Sequence, residues 1–275
     1  MGSQGDTGLL GKEFTQSVVD AMGPKTPARF REIMSSLIRH LHEFALETQL
    51  TTDEWMMGVN AINWAGQMSD DKLDDITFSA ATRSSSGLTS SAILGPFWRN
   101  DHPVRQNGTT ISFDTPKDAE VAFMHGKVTD VKTGKPIVGA TIDIWQASTN
   151  GLYEQQDPNQ RDLNLRGKYV TDDEGRYSLY CLRPTPYPVP DDGPAGQLLK
   201  LMDRHPFRPA HIHLVVGYKG YKHLTTQIFD KGCKYLADDS VFAVKDELCV
   251  TFLPRKDDPE AKLDLEYDIA LAPSA

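Results

Sequence analysis

The sequence predicts an α+β protein in which an N-terminal helical region precedes an antiparallel β-sandwich. Over roughly the first ninety residues, apolar side chains recur at the three- and four-residue spacing of helices. Short alternating strands separated by Gly- and Pro-containing turns follow. A chain in which the helices come first and the strands follow is typical of α+β folds. We therefore expect a helical domain over residues 1–90 and a sandwich domain over residues 91–275.

The clearest helical stripe lies between Ala28 and Thr48, directly after Pro27, a residue that suits a first helical turn. A second helix is predicted from Thr51, because Glu54 follows three residues later in the pattern of a capping box. We interpret both stripes as packing faces, with any exposed part available for a subunit interface. The apolar residues of the first stripe are Phe30, Ile33, Met34, Leu37, Ile38, Leu41, Phe44 and Ala45.

The polar stretch Arg83–Ser91 has the composition of a linker, and the periodicity changes after Gly95. Val121–Asp130 and Thr141–Trp145 are predicted strands, with a turn at Lys132–Pro136 between them. Two further turns suggest hairpins. The predicted hairpins join Tyr169–Thr171 to Arg176–Leu179 and His211–Tyr218 to His223–Phe229.

Charge and composition exclude several classes of function. The chain has 275 residues, a formal net charge of -9 and a pI near 5.3. Nucleic acid is excluded as a partner, because phosphate binding requires a basic surface. Cys181, Cys233 and Cys249 are too few and too widely spaced for a disulfide framework or a zinc knuckle. Without a signal-like N-terminus or an apolar run of about 18 residues, we expect a cytoplasmic protein with no membrane span.

The sharpest chemical motif is Arg208–His213, which contains two histidines at alternate positions. Residues i and i+2 of a strand point to the same face, so His211 and His213 can share one metal ion. Imidazole suits iron, zinc, copper and nickel alike. The alternative is a pair of surface histidines on a solvent-facing strand, and the spacing alone leaves both interpretations open.

Two tyrosines occupy unusual settings. Tyr153 follows a predicted strand within Gly151–Tyr153, and Tyr187 lies between Pro186 and Pro188, which restrict the backbone. A phenolate is a hard oxygen donor with an ordinary pKa near 10. It needs a strong cation nearby to ionise at neutral pH, and iron(III) is such a cation. The alternative is two tyrosines that serve packing or an interface.

The chain from Leu94 to about Phe252 resembles the intradiol ring-cleavage dioxygenases in the order and spacing of several motifs. The helical part, through His40–His42 and Gly66–Lys72, resembles the catechol and hydroxyquinol branch of that family. The matching motifs of the sandwich part are Leu94–Phe97, Trp145–Ala147, Gly151–Tyr153, Thr171–Tyr177, Tyr187–Pro194, Arg208–His213 and Leu224–Ile228.

The resemblance implies one iron(III) per chain. Tyr153 and His211 would be equatorial ligands, Tyr187 and His213 axial ligands, and a hydroxide the fifth. Tyr187 would also act in catalysis, since a phenol released from the metal regains its high pKa and can accept a substrate proton.

The resemblance also implies a pocket for a small aromatic diol or triol and O2. Arg208 and Gln227 would lie against the substrate ring, and Arg208 would stabilise negative charge that develops there. Arg208 would also help to shape the pocket. The other residues implied to shape it are Leu94, Gly95, Pro96, Phe97, Val189 and Pro190.

Two segments resemble the hydroxyquinol branch in particular, Asp239–Leu248 and Tyr187–Pro194. Hydroxyquinol is therefore the first substrate candidate. Its product would be maleylacetate, the keto form of 3-hydroxymuconate. Catechol, giving cis,cis-muconate, comes second. The resemblance further implies a homodimer formed by the N-terminal helices, with lipid held between them. A non-enzymatic ligand-binding sandwich and a zinc hydrolase are the competing classes.

The sequence departs from the family pattern after Asp70–Lys72. Relatives continue there through a further helix and loop, whereas here Lys72 leads directly into Leu73–Phe78. The missing piece corresponds to roughly four turns of helix. Because family members use that stretch to wall one side of the pocket, we expect its absence to affect ring-substituent selectivity and activity while leaving the four metal ligands untouched.

Overall fold

The computed structural model describes residues 12–68, 87–190 and 194–274. The predicted deletion after Lys72 and the first four residues of the predicted linker lie outside these ranges. The chain divides into two compact units. The first comprises Met1–Thr82, Pro188–Arg208 and Asp238–Ala243; the second comprises Arg83–Tyr187, Pro209–Ala237 and Val244–Ala275. The boundary predicted between residues 90 and 91 stays a prediction.

The first unit contains α1 (Lys12–Asp20), α2 (Ala28–Thr48), α3 (Thr52–Met68) and α4 (Pro194–Leu201). Its core joins α1, α2 and α4, since Val19, Met34 and Ile38 are buried in one cluster against which Leu198 packs. None of the described helices is long and apolar enough to cross a membrane.

The predicted stripe of α2 is confirmed, because the helix covers the predicted range and buries Met34 and Ile38. Ile33, Leu37 and Phe44 on the same helix remain nearly half exposed. The α2 stripe is therefore only partly covered within one chain.

The predicted capping box of α3 is confirmed. Thr51 Oγ1 accepts the Glu54 N–H at 3.3 Å, and Glu54 Oε2 accepts the Thr51 N–H at 2.9 Å. These reciprocal bonds satisfy two backbone donors at the helix start. The hydrogen bond from the Thr51 backbone also lowers the pKa of the Glu54 carboxyl.

The second unit is built around two β-sheets. The five-stranded sheet has the order β10-β9-β8-β3-β4 and the six-stranded sheet has the order β1-β5-β2-β12-β11, with β13 also paired to β2. The strands of the described chain, including β7 of the first unit and the short β6, which lie outside both sheets, are β1 (Thr109–Thr110), β2 (Val121–Asp130), β3 (Thr141–Trp145), β4 (Arg166–Val170), β5 (Arg176–Leu182), β6 (Tyr187–Pro188), β7 (Phe207–Arg208), β8 (His211–Gly217), β9 (Leu224–Asp230), β10 (Cys249–Val250), β11 (Leu253–Pro254), β12 (Leu263–Glu266) and β13 (Ile269–Leu271).

One buried cluster contains side chains of both large sheets, so the two sheets pack face to face as the predicted sandwich. The sheets are mixed, which corrects the prediction of an antiparallel sandwich. The central pairs β2–β5, β3–β8 and β8–β9 are antiparallel. Strands β12 and β13, however, run parallel to β2, as do β1 to β5 and β10 to β9.

The predicted strands β2 and β3 are confirmed over their full lengths. The hairpin of β8 and β9 is confirmed as well, with strand ends that differ by one residue from the predicted ones. The hairpin predicted across Asp172–Gly175 is wrong. Strand β4 pairs with β3 in the five-stranded sheet, whereas β5 pairs with β2 in the other sheet. The Gly175 turn therefore carries the chain from one sheet to the other.

Alternation along β8 positions the predicted site. Ile212, Leu214 and Val216 point into the core between the sheets. His211 and His213 therefore point to the opposite face of the five-stranded sheet. Both histidines are nevertheless 2% exposed. A second cluster of Trp145, Ala147, Tyr153 and Tyr187, with Phe97 packed against it, lies on that outer face.

Candidate metal centre

Four side-chain donors converge on the outer face of the five-stranded sheet. Tyr153 Oη lies 3.2 Å from Tyr187 Oη, which lies 3.2 Å from His211 Nε2. His211 Nε2 lies 3.2 Å from His213 Nε2, which returns to Tyr153 Oη at 3.0 Å. The four atoms form a closed ring although they come from three separate parts of the chain.

The spacing of this ring fits donors arranged around a single cation. Metal bonds to nitrogen and oxygen of about 2 Å, meeting at right angles, separate neighbouring donors by about 3 Å. The observed separations of 3.0–3.2 Å match that value. A small transition-metal ion therefore fits among these donors without rearrangement of the backbone.

The tautomer of His211 also suits metal binding. Its Nδ1 lies 2.7 Å from the Pro209 carbonyl oxygen, which can only accept a hydrogen bond. The Nδ1 atom therefore carries the proton in the neutral ring, and the Nε2 lone pair points into the ring of donors. A hydrogen bond from the other ring nitrogen is the usual way in which proteins orient a histidine ligand.

The ring of His213 is fixed by a stacked tryptophan. The rings of Trp145 and His213 have centroids 4.8 Å apart and planes only 9° apart. The two residues are direct partners across the β3–β8 ladder, which brings their side chains to the same face. Trp145 is fully buried, so the imidazole has little freedom to rotate.

Tyr153 and Tyr187 are fixed by packing as well. The Phe97 ring stacks on the Tyr153 ring at 4.5 Å, and the two tyrosine rings meet edge to face at 5.6 Å. Gly151 has a φ of 80°, and a Cβ at this position would lie 2.9 Å from the Tyr187 Cβ. Glycine is required here both for its left-handed backbone and for the close approach of Tyr187.

The segment Leu94–Phe97, predicted to shape a pocket, lies beside the donors. Gly95 has a φ of 79°, and a Cβ there would lie 3.0 Å from His213 Cε1. Gln227 is the direct partner of His213 across the β8–β9 ladder, and its Nε2 donates to the Ile93 carbonyl at 2.7 Å. The backbone before Leu94 is thereby connected to the strand beside His213.

The structure places the remaining predicted pocket residues in the first unit. Val189 donates its N–H to the Pro206 carbonyl at 2.9 Å, and Pro190 follows it. Arg208 is buried, with its Nε 3.5 Å from Asp239 Oδ1. The roles predicted for Arg208, Val189 and Pro190 against a substrate stay predictions.

Clusters made only of His, Cys, Asp and Glu do not offer a second metal site in the described part of the chain. Across residues 12–68, 87–190 and 194–274, no group of three His, Cys, Asp or Glu side chains is arranged to hold a metal ion. The candidate site depends on its two tyrosines, which distinguishes it from ordinary structural zinc sites of Cys and His.

Three neighbouring residues were not predicted as part of the site. Trp145 was noted only as part of a motif, while Glu154 and Arg166 were not noted at all. The signal for Glu154 is its place directly after Tyr153. Arg166 belongs to none of the motifs of the sequence, so only the sheet register reveals its position.

Comparison with known proteins defines the class. The family described as "Dioxygenase" matches residues 93–273, and "Catechol dioxygenase N terminus" matches residues 27–82. The chain is therefore a dioxygenase. It belongs to the intradiol ring-cleavage dioxygenase family.

Three similar proteins align with nearly the whole chain. Intradiol ring-cleavage dioxygenase prcA of Aspergillus niger is 48% identical, covering 94% of this chain and 87% of the relative. Catechol 1,2-dioxygenase of Candida albicans is 47% identical, covering 96% and 93%. Hydroxyquinol 1,2-dioxygenase of a Rhizobium species is 37% identical, covering 97% and 94%.

Solved structures agree with the sequence comparisons. Hydroxyquinol 1,2-dioxygenase of Pseudomonas putida DLL-E4 superposes with a TM-score of 0.67 at 32% identity, covering 95% of this chain and 98% of that one. Catechol 1,2-dioxygenase of Pseudomonas arvilla C-1 gives a TM-score of 0.64 at 27% identity, covering 95% and 91%.

Proposed function

We propose that the protein is a non-haem iron(III) dioxygenase that cleaves a benzene-1,2-diol between its two hydroxylated carbons. The observation that carries the proposal is the closed ring of Tyr153, Tyr187, His211 and His213 donors, 3.0–3.2 Å apart. Two phenolates are hard anionic ligands that favour a trivalent ion, and imidazole suits iron. One such ion per chain is proposed.

Bound iron(III) would supply a Lewis-acid centre that the two diol oxygens could chelate and that would activate the ring toward O2. The diol must lose its hydroxyl protons to chelate. Tyr187 Oη is the proposed acceptor of one of them, because it lies among the four donors, 3.2 Å from both Tyr153 Oη and His211 Nε2. Tyr187 is suited to that role because Pro186 and Pro188 restrict its backbone.

The other proposed contributions come from positioning. Trp145 packs on His213 and Phe97 packs on Tyr153, and both are proposed to keep water from the metal-facing side. Gln227, fixed by its bond to the Ile93 carbonyl, is proposed to lie against the substrate ring. Arg208 is proposed to stabilise negative charge on that ring, since a guanidinium stays protonated throughout the reaction.

Hydroxyquinol is the first proposed substrate, as the segment Asp239–Leu248 predicts, and ring opening by O2 would give 3-hydroxymuconate and its keto form maleylacetate. Catechol, which would give cis,cis-muconate, is the second candidate. Sequence identity favours catechol, because the Candida catechol 1,2-dioxygenase is 47% identical to this chain and the Rhizobium hydroxyquinol 1,2-dioxygenase is 37% identical.

Oxygen uptake and product analysis test the proposal. Purified iron-loaded protein is mixed with hydroxyquinol or with catechol, and the product is identified by mass. We expect one O2 consumed per diol, with both oxygen atoms of 18O2 retained in the ring-opened acid. A higher kcat/KM for hydroxyquinol would support the first candidate, and the reverse order would assign the enzyme to catechol. Absence of uptake with every 1,2-diol would contradict the proposed reaction.

We also propose a cytoplasmic homodimer formed through the N-terminal helices, with lipid as a further ligand between them. The partly exposed Ile33, Leu37 and Phe44 of α2 support an interface, because apolar side chains that remain open in one chain favour burial in an assembly. The cytoplasm is proposed because Cys181, Cys233 and Cys249 are all free thiols. Sedimentation of the purified protein measures its mass in solution.

A further inference from the structure

A row of four side chains crosses the outer face of the five-stranded sheet. In the register of β4, β3, β8 and β9, Arg166 is paired with Trp145, Trp145 with His213, and His213 with Gln227. Paired residues share a face of the sheet, so the row runs from the candidate metal centre to Arg166. Arg166 thus lies two strands away from His213.

The Arg166 guanidinium is fully buried and uses all three of its nitrogens. Its Nε donates to Glu154 Oε1 at 2.6 Å, and its Nη2 donates to Gln155 Oε1 at 3.0 Å. Its Nη1 lies 3.3 Å from His102 Nε2. The side chain of His102 in turn meets the Trp145 ring at 5.6 Å. The planar guanidinium, called the Arg166 fork below, therefore contacts Glu154 and Gln155, the two residues that directly follow Tyr153.

The carboxylate of Glu154 also accepts a hydrogen bond from a second guanidinium. Arg99 Nη1 donates to the same Glu154 Oε1 at 3.2 Å, and the Glu154 side chain is only 2% exposed. The adjoining turn is closed by the Gln156 N–H, which donates to the Tyr153 carbonyl at 2.9 Å. The backbone on the C-terminal side of Tyr153 is thus held by a buried charged pair and by a turn.

We infer that Arg166 is a positioning residue for Tyr153, which holds the phenol oxygen within the ring of metal donors through Glu154. This inference rests on the proposed iron site. The physical reason is the geometry of the fork, since only arginine presents three nitrogens in one plane to Glu154, Gln155 and His102. Loss of such supporting contacts typically lowers metal affinity by about 10–100-fold.

The test uses iron-loaded protein and compares two variants with a control. Arg166→Lys keeps the charge and removes the fork. The double variant R166M/E154Q removes both charges, which avoids a buried charge without a partner. The control is Arg255→Lys, because the Arg255 guanidinium also donates to carboxylates, those of Asp258 and Asp264, but beside the other sheet. Folding of each variant is checked by circular dichroism.

Two quantities are measured: the rate at which a chelator removes iron, and the phenolate-to-iron charge-transfer band. For at least one folded Arg166 variant we expect iron removal about 10-fold faster or more and a shifted band, while R255K matches the unmodified protein. Unchanged removal rates and bands in both Arg166 variants would overturn the inference. If both fail to fold, Gln155→Met is measured with the same two outcomes, because it removes a neutral partner of the Arg166 guanidinium and leaves the charged pair with Glu154 intact.

Single-tyrosine backgrounds separate a positioning role from general destabilisation. In Tyr187→Phe the remaining charge-transfer band reports on Tyr153, and in Tyr153→Phe it reports on Tyr187. Arg166→Lys is expected to shift the band in the first background and not in the second. Equal shifts in both would assign Arg166 a general structural role and overturn the inference. An unmodified iron-loaded protein without any band would instead contradict the proposed iron site.

Discussion

The phenol oxygens of Tyr153 and Tyr187 lie 3.2 Å apart, although the two residues are 34 positions apart in the chain. Their rings are perpendicular, and both side chains are buried. The two phenol oxygens and the Nε2 atoms of His211 and His213 thus form a buried polar cluster in apolar surroundings. Burial of such polar atoms is unfavourable unless they have partners, and a shared cation would serve as the partner of all four.

The contact between Gly95 and His213 can be tested by a pair of matched substitutions. Gly95 and Gly108 have nearly equal φ values of 79° and 76°, but a Cβ would lie 3.0 Å from His213 only at Gly95. Alanine in a left-handed conformation costs about 1–2 kcal/mol at either position. Gly95→Ala is expected to lower iron affinity by about 10-fold in addition.

The measurement is iron affinity together with thermal unfolding of both variants. Equal iron affinities for Gly95→Ala and Gly108→Ala would show that the approach of Gly95 to His213 has no role in metal binding.

Tyr187→Phe tests the proposed proton acceptor. The ring keeps its packing against Tyr153 and His211, so the fold is expected to remain intact. Loss of a positioned acid or base lowers turnover by about 10²–10⁴-fold. Steady-state oxygen uptake with saturating diol measures kcat, and iron content is measured in parallel. A fully iron-loaded variant with unchanged kcat would contradict the role of Tyr187.

Stability above neutral pH is predicted to depend on Lys245. Burial lowers the pKa of this ammonium to about 8, while the nearby Glu247 charge opposes the shift. Its Nζ donates to the Ser91 carbonyl at 2.6 Å. Between about pH 8 and the ordinary lysine pKa, the unfolded chain binds more protons than the folded chain, so this group favours folding more as pH rises.

Chemical unfolding of the protein and of Lys245→Met at pH 7.5 and 9.5 measures this effect. The free energy of unfolding of the unmodified protein is expected to rise relative to the variant between the two values. The exposed Lys219→Met serves as control and is expected to give a constant difference. A relative fall for the unmodified protein would contradict the assigned sign.

The sequence predicted the regular elements well where local signals coincide with packing. Helix α2 and its buried Met34 and Ile38 follow from the apolar stripe, and the Thr51–Glu54 cap follows from local hydrogen bonding. The hairpin across Asp172–Gly175 failed because a tight turn specifies a reversal of the chain but not the partner of each strand. Tertiary packing sends β4 and β5 to different sheets.

Much of the candidate site was also accessible from sequence, for physical reasons that differ between residues. Period-two spacing placed His211 and His213 on one face, and their burial could not be read from that spacing. The convergence of Tyr153 with Tyr187 required the resemblance to a family. The neighbours Trp145 and Arg166 depend on the register of β3, β4 and β8, which no short motif encodes.

The measurement that tests the account most directly is the visible spectrum of the protein reconstituted with iron(III). We predict a broad phenolate-to-iron charge-transfer band with one iron per chain, weakened in Tyr153→Phe and in Tyr187→Phe and absent when both are replaced. A colourless protein that retains stoichiometric zinc, or a band that survives replacement of both tyrosines by phenylalanine, would contradict the proposed metal centre.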